Sequence, residues 1–275
     1  MLKIRLEILW KILCKKHSKV WLALPIDTAN QRIIKIKIDR KPKKKVKKEF
    51  YSYIYFETPK TTKIKAELSL ELNKISKYKD VVNKKFLKNN KILRIDKTKL
   101  LATKLKTPKK FYKWIIENVK FPKDLSKYLT NLNWTETAVD VLRNKEGECG
   151  GKSLLFVSLC RAVGIPARLV SGYFLKSGEI SLFNASLDKN SLELHQWAEF
   201  YDGNCWVPVD CSLAQEEGKN YFGKFDDYRV VVSKDMNFRL ENDETVPFLQ
   251  IGKIKPKDLN NTNIIKIIKV RKWKK

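Results

Sequence analysis

Histidine is scarce in this chain, with only His17 and His195 among 275 residues. A general base of the usual kind therefore has few positions from which to act. Cysteine is sparse as well: there are five, an odd number, and no Cys-x-x-Cys pair occurs. This count argues against a disulfide framework and favours a reducing compartment.

Long apolar runs are missing from the start of the chain. In the segment Met1-Leu2-Lys3-Ile4-Arg5-Leu6-Glu7-Ile8-Leu9-Trp10-Lys11, a charge interrupts every short apolar stretch. Neither a signal-peptide core nor a membrane-spanning helix is predicted there, so we expect a cytoplasmic protein. The 43% hydrophobic content is ample for a buried core, in one large domain or two smaller ones.

Acidic residues are few, 30 against 58 Lys and Arg, which gives a net charge of +28. Residues 1–110 hold 33 of the basic residues but only 9 acidic ones. The densest cluster is Lys41-Pro42-Lys43-Lys44-Lys45-Val46-Lys47-Lys48. It is either a solvated loop or a footprint for an anionic surface or an acidic partner. Nucleic acid is disfavoured because no nucleic-acid-binding motif accompanies the charge.

Hydrophobic periodicity divides the chain into a basic β-rich N-terminal module (1–72), a connector (73–95) and a mixed domain (96–275). In the first module, alternation predicts strands at 20–25, 33–38, 51–56 and 63–70. Helical spacing follows at 100–119, where Pro108 opens a second helix, at 135–142 and from Cys149 to about 163. Further strands are predicted at 167–174, 179–183, 195–201, 205–210 and 229–232.

Cys149 lies between glycines, just ahead of an all-apolar helix. The first N–H groups of a helix lack intrahelical partners, and their partial positive charge favours a thiolate. The alternative is a small core residue. The flanking glycines favour a nucleophile, because they allow backbone and substrate to approach closely. Cys160, Cys205 and Cys211 are interpreted as packing residues whose spacing matches no zinc site, and no metal or cofactor is predicted.

Asp202-Gly203 separates two alternating runs and predicts a hairpin with a two-residue turn. In that register Tyr201 faces Asn204, which sets His195 directly opposite Asp210. Directly opposed side chains share one face, close enough for a carboxylate to hold an imidazole. A three-residue loop would instead put the faces out of step.

These residues predict a catalytic triad. Asp210 would orient His195 and stabilise its imidazolium, and His195 would deprotonate Cys149 and later protonate the leaving group. His17 lies among lysines and is interpreted as a surface residue. A phosphate-loop interpretation of Gly150-Gly151-Lys152-Ser153 fails, because only three residues separate Gly147 from Gly151, where that motif needs four between its first glycine and Gly-Lys-Ser.

The chain resembles the transglutaminase-like superfamily over roughly residues 96–230. The motifs that carry the resemblance are Gly147-Glu148-Cys149-Gly150, the segment 159–173, His195-x-Trp197-x-Glu199 and Trp206-Val207-Pro208-Val209-Asp210. The resemblance implies an α+β, papain-like core, in which a central helix carries the cysteine against an antiparallel sheet that carries histidine and aspartate. Phe121, Gln196 and Cys205 depart from residues common in the family, but none changes the triad.

The resemblance also implies thiol attack on an amide through a covalent acyl-enzyme. We expect a hydrolase acting on peptide or side-chain amides, since 275 residues leave no room for the accessory domains of animal cross-linking enzymes. The alternatives are a protein-glutamine gamma-glutamyltransferase and a non-catalytic scaffold with a basic module. The oxyanion hole is expected to use the backbone N–H of Cys149 and, as second donor, the Trp134 side chain. The alternative interpretation of Trp134 is a core tryptophan.

Overall fold

A computed structural model describes residues 1–14, 17–123, 136–175, 192–226, 228–255 and 264–272. Its strands, numbered in chain order, are β1 Leu2–Ile12, β2 Ser18–Leu24, β3 Gln31–Ile38, β4 Lys44–Lys47, β5 Ser52–Thr58, β6 Thr62–Leu72, β7 Ala167–Leu175, β8 Leu192–Tyr201, β9 Trp206–Val209, β10 Arg229–Lys234, β11 Phe238–Arg239, β12 Thr245–Val246, β13 Gly252–Lys255 and β14 Ile264–Lys272.

The α-helices are α1 Ile95–Leu105, α2 Pro108–Asn118, α3 Ala138–Asn144, α4 Cys149–Ala162 and α5 Cys211–Glu217. Pro108 opens α2 as predicted, with Thr107 as the N-cap. The predicted helix at 135–142 is α3, which begins three residues later because Thr137 and Asp140 form a capping box. The predicted strand at 179–183 lies outside the described residues.

Two compact units divide the chain differently from the predicted ranges. The first, here the β unit, comprises Met1–Lys74, Ser171–Leu194 and Asp226–Lys275. The second, the helical unit, comprises Ile75–Val170 and His195–Phe225. The C-terminal segment thus groups with the N-terminal strands rather than with the helices, because β14 pairs with β1 from Ile4 to Ile12 and β13 pairs with β2.

The β unit contains two four-stranded sheets, in the orders β14-β1-β6-β3 and β13-β2-β5-β4. Strand β1, which was not predicted, alternates strictly: Ile4, Leu6, Ile8, Trp10 and Ile12 are buried while the residues between them face outward. The matching face of β6 is buried as well, and both sheets contribute to one hydrophobic core. Period-two alternation of this kind is what one buried sheet face requires.

The helical unit is built around α4. Helices α1, α2, α3 and α5 all pack against it, and its residues from Gly150 to Arg161 are all buried. A largely apolar helix that is buried on every side is expected in such a central position. Strand β8 is adjacent to it, since the Phe156 and Phe200 rings lie 6.0 Å apart and the Ser153 hydroxyl lies 3.3 Å from the Gln196 carbonyl.

The predicted histidine, His195, lies on β8, and the predicted aspartate, Asp210, directly follows β9. Within the helical unit, β8 and β9 pair antiparallel. The predicted α+β arrangement, a central cysteine helix against an antiparallel sheet with strand-rich N-terminal structure, is therefore confirmed.

Candidate active site

Cys149 is the first residue of α4, and Glu148 immediately before it is the N-cap. One carboxylate oxygen of Glu148, Oε1, accepts from the backbone N–H groups of Gly150 at 2.9 Å and Gly151 at 3.3 Å. The other, Oε2, accepts from the Cys149 thiol at 2.8 Å. A single side chain thus satisfies two otherwise unpartnered helix N–H groups and contacts the predicted nucleophile.

The helix N-terminus does not activate Cys149 in the way its position alone predicts. Burial raises the pKa of the Cys149 thiol well above its ordinary value, and the adjacent Glu148 charge raises it further. The N–H groups that would favour a thiolate are occupied by the Glu148 carboxylate, whose negative charge opposes a second one beside it. Burial also raises the pKa of Glu148 itself. The prediction that the helix end lowers the pKa of Cys149 is therefore wrong for this conformation.

Packing around Gly151 leaves little room for a side chain. A Cβ atom at this position would lie 2.5 Å from Glu136 Oε2 and 3.0 Å from Val141 Cγ2. Gly147 is similarly tight, since its Cβ would lie 3.0 Å from Val141 Cγ1. The glycines let the segment that precedes α4 and the first turn of α4 lie directly against Val141 of α3.

The β8–β9 hairpin differs from its predicted register. Tyr201 pairs with Trp206 and Ala198 with Val209, so the loop contains four residues, 202–205, rather than two. Asp202 stabilises this longer loop: its Oδ1 accepts from the Asn204 and Cys205 N–H groups at 3.1 and 2.9 Å. The Asp202 N–H also donates to the Cys205 carbonyl at 3.0 Å. The Asx-type turn at Asp202 is the physical reason that the predicted turn at Asp202-Gly203 does not form.

The two-residue shift leaves the faces of the hairpin as predicted. Only an odd shift moves a side chain to the opposite face of a sheet. His195 and Asp210 are no longer directly opposed, but they remain on one face, where His195 Nε2 lies 2.6 Å from Asp210 Oδ2. The predicted contact is present although the predicted pairing was wrong.

Asp210 is fully buried and supports two structures at once. It is the N-cap of α5, because its Oδ1 accepts from the Leu213 N–H at 2.9 Å, while its Oδ2 contacts His195. The His195 ring stacks on Trp197, two residues along the same face, at a centroid distance of 6.0 Å. The imidazole is therefore held through Nε2 and along one face of its ring.

Cys149 and the hairpin are joined at the residue beside His195. The Gln196 backbone donates a hydrogen bond to the Cys149 sulfur, and the Ser153 hydroxyl donates to the Cys149 carbonyl at 2.7 Å. Charges on Asp210 and on Glu148 both act on the thiol, and His195 acts on Glu148. The three predicted catalytic residues therefore meet in one electrostatically coupled cluster.

Lys152, one turn after Cys149, is a feature that the sequence interpretation missed. It is completely buried, its Nζ lies 2.6 Å from Gln215 Oε1, and the ammonium group stands 3.2 Å from the centroid of the Phe121 ring. Burial lowers its pKa to about 8. A lysine inside an otherwise apolar helix was the available signal, because a charge at such a position needs a built partner.

A buried ion-pair network anchors the hairpin. Arg168 on β7 lies 2.8 Å from Glu199 on β8 and 2.7 Å from Asp80, and its guanidinium stacks 3.9 Å from the Trp206 ring centroid on β9. Tyr78 completes the network through its hydroxyl, 2.5 Å from Glu199. These contacts fix both strands of the hairpin that carries His195 and leads to Asp210.

Other predicted residues have simpler outcomes. Cys160 and Cys211 are buried and Cys205 is half-buried, and all five cysteines are free. Trp134, the predicted oxyanion donor, lies outside the described residues. Within the described ranges, no group of three or more His, Cys, Asp or Glu side chains could hold a metal ion, and no helix there is long and apolar enough to cross a membrane.

Comparison with known proteins agrees with this arrangement. Residues 93–211 match the model of the Transglutaminase-like superfamily. The fold is similar to the crystal structure of a "putative cysteine protease" from Cytophaga hutchinsonii, which is 17% identical in sequence, with a TM-score of 0.60 over 98% of this chain and 97% of that one.

A weaker similarity, with a TM-score of 0.38 and 14% identity, links 78% of this chain to 90% of the periplasmic domain of TgpA from Pseudomonas aeruginosa. No curated protein matches the sequence significantly. The match at residues 93–211, which spans α1 to the start of α5 and includes Cys149, His195 and Asp210, identifies this part of the chain as a transglutaminase-like core.

Proposed function

We propose that the protein is a cysteine-dependent hydrolase that cleaves peptide or side-chain amides through Cys149, His195 and Asp210. The observation that carries the proposal is the buried His195–Asp210 pair, with its 2.6 Å contact, beside a cysteine at the N-terminus of the central helix. A nucleophile, a base and a group that orients the base are the components that covalent acyl transfer needs.

In the acylation step, His195 Nδ1 takes the proton from the Cys149 thiol. The sulfur then attacks the amide carbonyl carbon, and the negative charge moves to the carbonyl oxygen. Collapse of this intermediate breaks the carbon–nitrogen bond as His195 gives its proton to the leaving amine, which leaves a thioester on Cys149. Asp210 balances the imidazolium charge throughout these steps. The proposed donors to the oxyanion are the Cys149 N–H and Trp134.

In the deacylation step, His195 takes a proton from water, and the resulting hydroxide attacks the thioester carbonyl. The carbon–sulfur bond breaks, the acid product leaves, and the proton returns from His195 to the Cys149 sulfur. If a primary amine replaced water, the product would be a new amide and the enzyme a transferase.

The experiment offers a glutamine-containing peptide, with and without a primary amine, to the wild type, to Cys149→Ser and to Cys205→Ser. We expect peptide-bond or side-chain amide cleavage without incorporation of the amine, lost in Cys149→Ser and retained in Cys205→Ser. The second variant is the matched control, because Cys205 is a half-buried cysteine in the hairpin loop. Amine incorporation that depends on Cys149 would establish a transferase instead, and no turnover of either kind would favour a scaffold.

We further propose that the basic β unit contacts an acidic partner. Three lysines of the Lys41–Lys48 cluster already have carboxylate partners: Lys43 with Glu57, Lys44 with Glu241 and Lys47 with Asp27. Lys41, Lys45 and Lys48 are exposed and would supply the contact. Replacing these three with Gln should weaken salt-sensitive retention on a polyanion column more than replacing Lys97, Lys99 and Lys104 does. Equal effects would contradict a localised contact.

We also propose a cytoplasmic location. Five free cysteines, two of them completely or almost completely buried (Cys160 and Cys211), are compatible with a reducing compartment. Fractionation of cells that produce the protein from its own gene, followed by immunodetection, tests it, and recovery outside the cytoplasm would contradict it.

A further inference from the structure

Glu148 makes an unusual pair of contacts for a helix N-cap. Its Oε1 is fixed by the Gly150 and Gly151 N–H groups, and this geometry leaves Oε2 beside the Cys149 sulfur, 2.8 Å away. The thiol is the donor and the carboxylate the acceptor. The hydrogen that the proposed chemistry must deliver to His195 therefore points to a different residue in this conformation.

We propose that Glu148 restrains the nucleophile of the resting enzyme: its carboxylate holds the thiol hydrogen of Cys149, and the proton reaches His195 only when a bound substrate draws the sulfur out of this contact. Glu148 is thus a positioning residue that acts through Cys149. This inference rests on the proposed function, because it assigns a resting state to the same nucleophile.

The proton balance of this release is simple. The S–H bond of Cys149 breaks and an N–H bond forms at His195 Nδ1, so the sulfur becomes negative and the imidazole positive. Glu148 keeps its negative charge and its two backbone donors. The cost of the step is the repulsion between the new thiolate and the Glu148 carboxylate, which is largest while the two groups are in contact.

Several other titratable groups act on this pair or on Lys152 beside it. Lys152 lies on the same helix, His195 on β8, and Asp210 and Cys211 at the start of α5. Glu136 approaches the first turn of α4 at Gly151. After burial, Glu148 makes the largest contribution to the raised pKa of the thiol. Removal of the Glu148 charge alone should therefore change Cys149 markedly.

The experiment measures alkylation of Cys149 by iodoacetamide, a neutral reagent, against pH with peptide mapping, in the wild type and in Glu148→Gln. The Gln amide oxygen can still accept from Gly150 and Gly151, so the cap is kept while the charge is lost. We expect the alkylation midpoint to move to lower pH and the rate at pH 7 to rise about tenfold, the change that a one-unit shift in pKa produces.

Two controls separate restraint from unfolding. Glu146→Gln removes the same charge from an exposed residue two positions earlier and should leave the rate of Cys149 alkylation unchanged. Cys160 is completely buried on the same helix and reports opening of the fold, because it should stay slow. Glu148→Ser, which also keeps an N-cap acceptor without a charge, is the second variant. An acceleration confined to Cys149 in either variant supports the restraint.

No acceleration of Cys149 beyond that of Cys160 in both Glu148 variants would overturn the proposal. Alkylation requires no substrate, so this outcome is distinguishable from failure of the proposed function. A wild-type protein that cleaves no amide would contradict the hydrolase, whereas an unchanged alkylation rate in Glu148→Gln and Glu148→Ser would contradict the restraint alone.

Discussion

Helices α4 and α5 both begin with an acidic N-cap that touches a predicted catalytic residue. Glu148 caps α4 and contacts the Cys149 thiol, and Asp210 caps α5 and contacts the His195 imidazole. The structural task is the same at both sites, since each carboxylate satisfies backbone N–H groups that have no partner within the helix.

The chemical effects of the two caps have opposite sign. A carboxylate stabilises a neighbouring cation and destabilises a neighbouring anion. Asp210 therefore favours the imidazolium form that His195 adopts in the proposed reaction, whereas Glu148 opposes the thiolate form of Cys149. The same residue type in the same local motif thus assists one partner and restrains the other, and the sign is decided by the charge that the partner develops.

The largest expected effect is on catalysis, when Asp210 at the α5 cap is replaced. Asp210→Asn should keep the cap, since Asn is as good an N-cap as Asp, but should lower kcat/KM for amide hydrolysis by about 10³–10⁴-fold, as loss of the orienting acid does in comparable triads. Glu117→Gln, which removes an exposed charge on α2, is the control. Steady-state kinetics on both variants make the comparison, and an Asp210→Asn enzyme with wild-type kcat/KM would contradict the role of the pair.

The hairpin behind His195 can be weakened without a change in the Cys149 helix. Arg168→Met leaves Glu199 buried without its guanidinium partner, and breaking a buried pair in this way costs about 3–5 kcal/mol of unfolding free energy. Urea denaturation measures it. Arg143→Met, which breaks an exposed pair with Asp140, should cost less than about 1 kcal/mol; equal losses would show that the network does not anchor the hairpin.

Lys152 interacts electrostatically with both caps and should make the stability of the protein depend on pH. Its pKa is lowered to about 8 in the folded protein from 10.5, so the unfolded chain binds more protons between those values. Lys152 therefore destabilises the folded protein by about 3 kcal/mol below about pH 8. This penalty disappears as the pH rises towards 10.5.

Measuring the unfolding free energy of the wild type and of Lys152→Met over a series of pH values isolates that contribution. The difference in unfolding free energy between wild type and variant should move in favour of the wild type from pH 8 to pH 10. A difference that stays constant over this range would mean that Lys152 is not desolvated as its burial implies.

The smallest expected effect concerns the loop that set the hairpin register. Asp202→Ala removes the acceptor for the Asn204 and Cys205 N–H groups and should lower the unfolding free energy by about 1 kcal/mol. Asn204→Ala is the matched control in the same loop and should cost less. The reverse order would show that Asp202 does not stabilise the four-residue loop.

Much of the site could be predicted from the sequence, because it depends on which strand residues share a face and on the order of the motifs along the chain. The prediction that His195 and Asp210 share a face was correct although the predicted register was wrong, since a shift of two residues leaves the alternation of faces unchanged. Local patterns also located α2 through Pro108 and the central helix through its apolar residues. The transglutaminase-like resemblance is confirmed at residues 93–211.

What the sequence did not predict depends on contacts between distant segments. The pairing of β14 with β1 joins the two ends of the chain, and no local pattern specifies that partner. The effect of Glu148 on Cys149 depends on a side-chain rotamer that places Oε2 at the sulfur. Strand β1, by contrast, alternates openly from Ile4 to Ile12, so its strand character could have been predicted from period two.

The central claim, that Cys149 forms an acyl-enzyme with the help of His195 and Asp210, is tested most directly by acid-quench trapping. The protein is mixed with a peptide substrate or its activated ester, quenched within milliseconds to seconds, and mapped by mass spectrometry. The account predicts an acyl group on Cys149 that accumulates in the wild type, forms far more slowly in Asp210→Asn and is absent from the other four cysteines. Turnover without any acyl group on Cys149, or acylation of Cys149 at the same rate in Asp210→Asn, would contradict it.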